Sequence, residues 1–241
     1  MSFYEQIASY YHHIFKINVN QVNFIKSKIP ECDSSILDIG CGIGTLSFEL
    51  TQYYKNLLGI DMDAEMIRAA SIKKGTNTEA IQFLQLSMLK LDASIDKNSV
   101  DGIVCFGNTL VHLNSLDEIA DFLQQSKTAL KPNKKLLVQI VNYDKILTKD
   151  IKQLPLLEND EIVFERNYYY RKLENKIDFN TRLKVKSTLQ IIENSIELLP
   201  LLKKEIALLL NEAGFNNCNF YGNFNQESYT IDSPALIIEA W

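Results

Sequence analysis

The chain of 241 residues is poor in cysteine and histidine and contains no long apolar segment, and each absence excludes a class of protein. Its four cysteines, Cys32, Cys41, Cys105 and Cys218, form no CxxC pair or cysteine–histidine cluster, which argues against a disulfide scaffold or a metal site. No apolar run approaches the ~18 residues that span a membrane, and the first residues include Glu5 but no basic signal-peptide region. We therefore expect a cytoplasmic protein in a reducing environment.

An excess of basic charge is also missing. Lysine and arginine number 25 against 30 aspartates and glutamates, so the net charge is −5 and the pI is near 5.3. Such a surface lacks the general attraction to nucleic acid or anionic lipid that a basic protein has, so neither partner is expected. The hydrophobic fraction of 46% is that of an ordinary globular domain, and the length suits one α/β domain with an inserted element.

The first half of the chain alternates short apolar runs with longer segments of helical spacing. Buried strands are predicted at Ser35–Ile39, Asn56–Ile60, Ile81–Leu86, Val100–Phe106 and Lys135–Tyr143. Helices are predicted over 45–54, over 64–74 after an Asp63 cap, and after a Ser115–Glu118 capping box. Strand–helix repetition of this kind is typical of a parallel sheet covered by helices on both faces.

The pattern changes after Tyr143. Three long alternating segments predict an inserted antiparallel sheet over Glu161–Arg171, Lys176–Lys186 and Thr188–Glu193. A helix over Leu201–Ala213, preceded by Pro200, and two further strands, Asn217–Tyr221 and Ala235–Trp241, close the chain. The expected organisation is one domain with N-terminal helices (1–34), a core (35–143), an insertion (144–199) and a closing helix and strands (200–241).

The most informative stretch runs from Ile36 to Thr45, where a strand leads into Asp38 and then into a GxGxG loop formed by Gly40, Gly42 and Gly44. Glycines allow a sharp turn and a close approach of backbone to a ligand. The carboxylate of Asp38 repels a pyrophosphate but suits a cation such as an ammonium or a sulfonium. Asp61, at the end of the second strand, is placed to accept both hydroxyls of a ribose. Together they indicate a nucleoside that carries a cationic amino-acid tail.

At these residues the chain resembles the class I S-adenosylmethionine-dependent methyltransferases, over about residues 35–142. The resemblance implies a doubly wound, Rossmann-like sheet of seven strands in the order 3-2-1-4-5-7-6, with S-adenosylmethionine as cofactor. It implies that Asp38 helps to hold the methionyl ammonium and that Asp61 holds the ribose. Further implied cofactor-binding residues are Tyr11 in a leading lid helix, Met62 on the adenine face, Met66, Ser87 in place of the usual adenine-binding acid, Met88, Cys105 and Phe106.

The segment after the fourth strand, Cys105–Leu113, is similar to that of small-molecule methyltransferases, including glycine N-methyltransferase. The resemblance places this strand end beside the methionyl tail and facing the methyl acceptor, so Asn108 and His112 are the candidate catalytic residues. His112 is the obvious general base, although it could equally be an imidazole satisfied beside a helix start. The Asn/Asp-Pro-Pro-Tyr/Phe signature of enzymes that methylate nucleic-acid amines is missing here, which favours a small-molecule acceptor.

Two other functions stay open at this point. One is a nicotinamide-dependent oxidoreductase, against which the GxGxG spacing and Thr45 in place of a further glycine both count. The other is a methyltransferase-like protein that binds the cofactor without catalysis. The preferred hypothesis is methyl transfer to a nitrogen, oxygen or carbon atom of a small molecule, with the protein aligning the reactants and excluding water.

Overall fold

The computed structural model describes Tyr10, Ile14 and residues 18–74 and 79–241. Seven strands form the main sheet: β1 (Ser35–Ile39), β2 (Asn56–Asp61), β3 (Ile81–Gln85), β4 (Val100–Cys105), β5 (Leu130–Val141), β10 (Cys218–Tyr221) and β11 (Ala235–Ala240). Their order is β10-β11-β5-β4-β1-β2-β3. The five strands from β3 to β5 are parallel, whereas β11 pairs antiparallel with both β5 and β10. This is the predicted 3-2-1-4-5-7-6 order, and the predicted fold class is confirmed.

Helices cover both faces of this sheet, because the strands carry apolar side chains on both sides. The helices are α1 (Val19–Lys28), α2 (Thr45–Leu50), α3 (Ala64–Lys74), α4 (Leu116–Ala129), α5 (Tyr143–Thr148) and α6 (Lys203–Glu212). One apolar cluster joins α4 and α6 to the sheet, and a second joins α1 and α2 to its other face. Short 3₁₀ helices follow β3 and β4, at Met88–Ala93 and Thr109–His112.

A second, antiparallel sheet is inserted after α5, as predicted. Its strands are β6 (Leu157–Glu158), β7 (Ile162–Arg171), β8 (Lys176–Val185) and β9 (Ile191–Leu198), in that order. It is attached to the core at β9, where the Leu199 backbone N–H donates to the Val111 carbonyl at 2.9 Å. Tyr168 from β7 packs in the same apolar cluster as Tyr143 and Val111. The insertion therefore lies against the segment that follows β4.

Several element boundaries differ from the sequence prediction. The third inserted strand runs over Ile191–Leu198 rather than 188–193, since Leu189 takes a positive φ of 58° in the preceding turn. The last helix begins at Lys203, not at 201, because the Glu205 carboxylate and Asp144 accept the N–H groups of Leu202 and Lys203. Helix α5 and strand β6 were not predicted.

Helix caps follow the sequence more closely. Asp63 Oδ1 accepts from the N–H groups of Glu65 and Met66, which confirms its capping role. At α4, Ser115 Oγ accepts from the Glu118 N–H at 3.2 Å. The Glu118 carboxylate, however, accepts from the Asn114 N–H rather than from that of Ser115, so the predicted capping box is displaced by one residue.

Candidate functional site

A cavity of about 380 Å³ opens at the carboxyl ends of β1, β2, β3 and β4. The strand order reverses between β1 and β4, and open α/β sheets bind ligands at such a switch point. The size suits a small organic molecule. Predicted site residues that line it are Asp38, Gly40, Gly42, Asp61, Met62, Met66, Ser87, Met88, Phe106 and His112.

Asp61 is fixed by backbone donors at the end of β2. Its Oδ2 accepts from the Gly42 N–H and its Oδ1 accepts from the Asp63 N–H, both at 2.9 Å. Burial raises the pKa of this carboxyl, and the same backbone hydrogen bonds oppose the rise. Each oxygen keeps further lone-pair capacity, so the group can accept two hydroxyls of a ligand in a fixed orientation.

Asp38 lies deeper, at the end of β1, with only 3% of its surface exposed. Burial raises its pKa to about 7; the Ser47 hydroxyl that donates to it lowers the pKa, and nearby Asp61 raises it. A cation placed beside this carboxyl would restore its ordinary acidity, because an opposite charge stabilises the ionised form. The pocket is therefore electrostatically suited to an ammonium group.

The glycine loop brings backbone to the cavity. Gly40 has a φ of +68°, and a Cβ there would lie 2.4 Å from Thr109 Cγ2 in the loop after β4. Gly42 lines the cavity and donates to Asp61. Gly44 does not line it; it precedes α2, where a Cβ would meet the Phe83 ring at 2.6 Å. That glycine thus serves the packing of α2 against β3.

The opposite side of the cavity combines sulfur-containing and apolar side chains with one hydroxyl. Met62 is 73% exposed at the rim, whereas Met66 is buried. Ser87 caps the 3₁₀ helix that follows β3, accepting from the Leu89 N–H at 3.3 Å, and its hydroxyl hydrogen remains able to donate. Met88 completes this wall. Thioether side chains such as those of Met62 and Met66 make favourable contacts with aromatic rings, so this wall suits an aromatic ligand.

The residues after β4 divide between the cavity and the protein interior. Phe106 and His112 line the cavity, and burial lowers the pKa of His112, which favours its neutral form. Cys105 is fully buried behind the wall, where burial raises its thiol pKa far above the ordinary value. Asn108 is not a lining residue: its Oδ1 accepts from the Val141 N–H and its Nδ2 donates to the Tyr143 hydroxyl, both at 2.9 Å. These bonds tie Asn108 to β5 and α5.

Tyr11 and most of the predicted lid lie outside the described residues. Of that segment, Ile14 is buried and lines the cavity, and it packs with Phe164 and Ile192 of the inserted sheet. Tyr10 packs against the same cluster.

Sequence reasoning missed several lining residues: Gln21, Thr45, Leu46, Leu86, Thr109 and Leu113. Thr45 is the most informative, because its Oγ1 is buried and has no hydrogen-bond partner in the described part of the chain. A buried polar atom without a partner calls for a ligand or a water. Its position directly after the glycine loop was the available signal, whereas nothing in the sequence distinguishes Gln21 on α1.

No helix within 18–74 and 79–241 is long and apolar enough to cross a membrane. Across the same ranges, no three histidine, cysteine, aspartate or glutamate side chains are grouped so that they could hold a metal ion. The four cysteines are free thiols.

Comparison with known proteins agrees with this geometry. Residues 36–133 match the model of a methyltransferase domain family. The chain is 25% identical over 221 residues to glycine/sarcosine N-methyltransferase of Aphanothece halophytica, covering 89% of this chain and 78% of that protein. Over 115 residues it is 30% identical to the mitochondrial ubiquinone biosynthesis O-methyltransferase of Rattus norvegicus, covering 47% and 32% respectively.

The fold is similar to that of a solved structure. An S-adenosylmethionine-dependent methyltransferase from Clostridium acetobutylicum superimposes with a TM-score of 0.81 at 15% identity, covering 99% of this chain and 98% of that one. The methyltransferase domain over residues 36–133, the relatives and the cavity at the switch point support an S-adenosylmethionine-dependent methyltransferase. The protein is an S-adenosylmethionine-dependent enzyme that transfers methyl groups to small molecules, and the nicotinamide alternative is not favoured.

Proposed function

We propose that Asp38 and Asp61 hold the two ends of S-adenosylmethionine and that the wall around Phe106 and His112 receives a small-molecule nucleophile. The observation that carries this proposal is the pair of carboxylates at adjacent strand ends of one cavity. Asp38 is buried and has no cationic partner among the described residues, and Asp61 is held by two backbone donors. A nucleoside with a cationic amino-acid tail complements both.

On the cofactor side, Asp61 accepts the ribose hydroxyls and Met62 covers the adenine face. Ser87 and the Met88 backbone form hydrogen bonds with the edge of the adenine ring, and the buried Met66 lines the cavity beside them. The loop of Gly40 and Gly42 lets the tail approach Asp38. Gly44 and Cys105 contribute to this site only through packing, in keeping with their places outside the cavity lining.

When bound, the cofactor supplies an electrophilic methyl group on a sulfonium. The chain's own contribution is to align a nucleophile with that methyl group and to exclude water, which can supply ~7–11 kcal/mol of the barrier. His112, neutral and half-buried at the cavity wall, accepts a proton from an acceptor that arrives protonated. The two relatives named above transfer to nitrogen and to oxygen respectively, so the acceptor atom is left open among nitrogen, oxygen and carbon.

The ribose assignment is tested by calorimetry with S-adenosylhomocysteine. Asp61→Ala removes hydrogen bonds to a charged acceptor and should weaken binding by about 1.5–3 kcal/mol while the fold persists. Asp63→Ala is the matched control, since that carboxylate lies two residues away and caps α3. Unchanged affinity in folded Asp61→Ala protein would contradict the assignment.

The acceptor side is tested by transfer of labelled methyl groups to metabolite pools, with RNA and protein extracts as controls. His112→Ala should lower transfer about a hundredfold or more, the low end for general-base catalysis, while affinity for S-adenosylhomocysteine stays within about threefold, roughly 0.65 kcal/mol. Equal losses of affinity and activity would instead place His112 in the cofactor site. Efficient methylation of RNA alone would overturn the small-molecule acceptor.

Three broader expectations belong to the same proposal. Residues 1–34 act as helices and a lid, 35–143 bind the cofactor, 144–199 form the insertion and 200–241 close the fold. The position of Ile14 between the cavity and the inserted sheet supports the lid. Free cysteines and the net charge of −5 favour a cytoplasmic enzyme that does not act on nucleic acid.

A further inference from the structure

The inner face of the inserted sheet carries one polar row between two apolar rows. In register across β7, β8 and β9, Arg166 lies opposite Thr181, and Thr181 lies opposite Asn194. The apolar rows on either side are Phe164–Leu183–Ile192 and Tyr168–Phe179–Ile196. Cross-strand partners point to the same face of a sheet, so the three polar side chains share one strip.

This polar row contains donors without acceptors. The Nε of Arg166 and the Nδ2 of Asn194 are buried and lack a hydrogen-bond partner in the described part of the chain. Thr181 is only 4% exposed. Leaving such groups unpaired in an apolar face costs free energy, so a native structure that keeps them needs a reason.

Arg166 is also exceptional among the arginines. The sequence contains four, and the structure describes all of them. Arg68, Arg171 and Arg182 each form an ion pair with a carboxylate. Arg166 forms none within the described residues; its NH2 group donates to the Pro155 carbonyl at 2.7 Å, and its guanidinium lies over the Phe164 ring. In a chain of net charge −5, a partly buried guanidinium without a carboxylate is poised for an external anion.

The row lies beside the cofactor cavity. On one side, Phe164 and Ile192 pack with Ile14, which lines that cavity. On the other, Tyr168 packs in one cluster with Leu113, another lining residue. Through Ile14 the strip therefore lies next to a wall of the cavity, although none of its three polar residues is itself a lining residue.

We propose that Arg166, Thr181 and Asn194 form a subsite for an anionic group of the methyl acceptor, so that the substrate is a small molecule bearing a carboxylate or a phosphate. This inference rests on the methyl-transfer function proposed above and specifies its substrate class. Arg166 and Asn194 supply the N–H donors of this subsite, and Thr181, whose hydroxyl donates to the Asn194 backbone carbonyl at 3.5 Å, lies between them. A planar guanidinium can bind two oxygens of one oxyanion.

The direct test observes the Arg166 guanidinium by NMR in the full-length ¹⁵N-labelled chain. Four arginines give four Nε–H signals, and Arg166→Lys identifies the relevant one. Acetate and inorganic phosphate are titrated separately into protein with and without S-adenosylhomocysteine. We expect a saturable shift of the Arg166 signal, and the anion with the lower midpoint identifies carboxylate or phosphate as the preferred group. A linear drift shared by all four signals would overturn the subsite.

Variants provide the second readout. Because Arg166→Gln lacks the observed signal, the anion affinity of each variant is measured by calorimetry. It should fall about tenfold or more in Arg166→Gln, as for loss of a hydrogen bond to a charged group, and less in Asn194→Ala. Arg182→Gln, on the outer face of the same sheet, is the matched control and should leave the midpoint unchanged. Equal effects of Arg166→Gln and Arg182→Gln would contradict the proposal. Should Arg166→Gln fail to fold, Arg166→Lys keeps the charge but removes the planar guanidinium, and an unchanged anion affinity by calorimetry in that variant counts against the subsite.

The cofactor assignment and the anion subsite can be refuted separately. Absence of S-adenosylhomocysteine binding in the wild-type protein would refute the cofactor assignment, whatever the anions do. Normal S-adenosylhomocysteine binding without a specific anion response at Arg166 would refute the subsite alone. In the labelled-methyl screen, metabolites separated by anion exchange should carry label in the anionic fraction, and label confined to the neutral fraction would overturn the proposed substrate class.

Discussion

In the proposed site, the two sheets of this enzyme contribute by different means. The parallel sheet presents its carboxyl edge, where turns and backbone N–H groups hold Asp61 and bring Gly40 and Gly42 to the cavity. The antiparallel sheet presents a face, on which side chains from three strands meet through cross-strand register. One half is defined by spacing along the chain and the other by pairing between distant segments.

This difference predicts how well each half of the site tolerates substitution. A backbone cradle at a switch point tolerates few changes, because its residues must satisfy both backbone geometry and a fixed ligand. A sheet face accepts substitution of its side chains without change of the backbone. The cofactor half is therefore expected to fail through loss of geometry, and the acceptor half through loss of single contacts.

The largest effect is expected from Gly40→Ala. The new Cβ would lie 2.4 Å from Thr109 Cγ2, on a backbone with φ of +68°. Left-handed strain of about 1–2 kcal/mol and overpacking of about 1–3 kcal/mol should together lower the free energy of unfolding by about 2–5 kcal/mol. Urea denaturation measures this, and binding of S-adenosylhomocysteine should weaken in step.

Gly107→Ala is the control for that change. Gly107 also lines the cavity and has a φ of +75°, but a Cβ there meets nothing within 4 Å. Only the strain of about 1–2 kcal/mol applies. Equal destabilisation by the two substitutions would show that contact with Thr109 does not limit the loop, and would weaken the view that geometry controls this edge.

The sequence predicted the parallel half more fully than the antiparallel half, for the same physical reason. The parallel strands, the glycine loop and the Asp63 cap follow from local spacing, and the strand order was implied by the family resemblance; the structure has them as expected. The end of β9 was missed, because Asn194 and Ser195 interrupt the apolar alternation by which strands are recognised. Asn108 was expected to face the acceptor, yet the Val141 N–H and the Tyr143 hydroxyl take up its amide. Such partners are distant in sequence and leave no local signal.

The next largest effect is expected from pH, through the protonation of Asp38 in the cofactor half. Burial raises the pKa of Asp38 to about 7, so the unliganded carboxyl takes up a proton as pH falls through that value. A cationic tail binds the ionised form, and affinity for S-adenosylhomocysteine should therefore fall by up to tenfold, about 1.4 kcal/mol, for each pH unit below about 7. Calorimetry from pH 5 to pH 8 measures this slope. Above pH 7 the affinity should level off.

Asp38→Asn should flatten that dependence and weaken binding at pH 8. Asp101→Asn is the control, because Asp101 lies at the start of β4, where hydrogen bonds from Lys131 and the Ser35 N–H lower its pKa. Its loss should leave the slope below pH 7 intact. A pH dependence that persists unchanged in Asp38→Asn would show that another group titrates with binding.

The smallest effect is expected in the antiparallel half, from Tyr168→Phe. Tyr168 is 6% exposed, and its hydroxyl shares a hydrogen bond with that of Tyr143, which in turn accepts from Asn108. Removing it should lower the free energy of unfolding by about 0.5–1.5 kcal/mol, the net value of one hydrogen bond. Tyr170→Phe is the matched control on the same strand face. That hydroxyl donates to Asn175 at the surface, so its loss should stay within about 0.5 kcal/mol.

The same two variants also separate cofactor binding from acceptor binding. Affinity for S-adenosylhomocysteine should change in neither variant. The KM for the acceptor should rise in Tyr168→Phe alone, because Tyr168 connects the inserted sheet to the segment after β4. A loss of cofactor affinity in Tyr168→Phe would mean that the two sheets do not divide cofactor and acceptor between them.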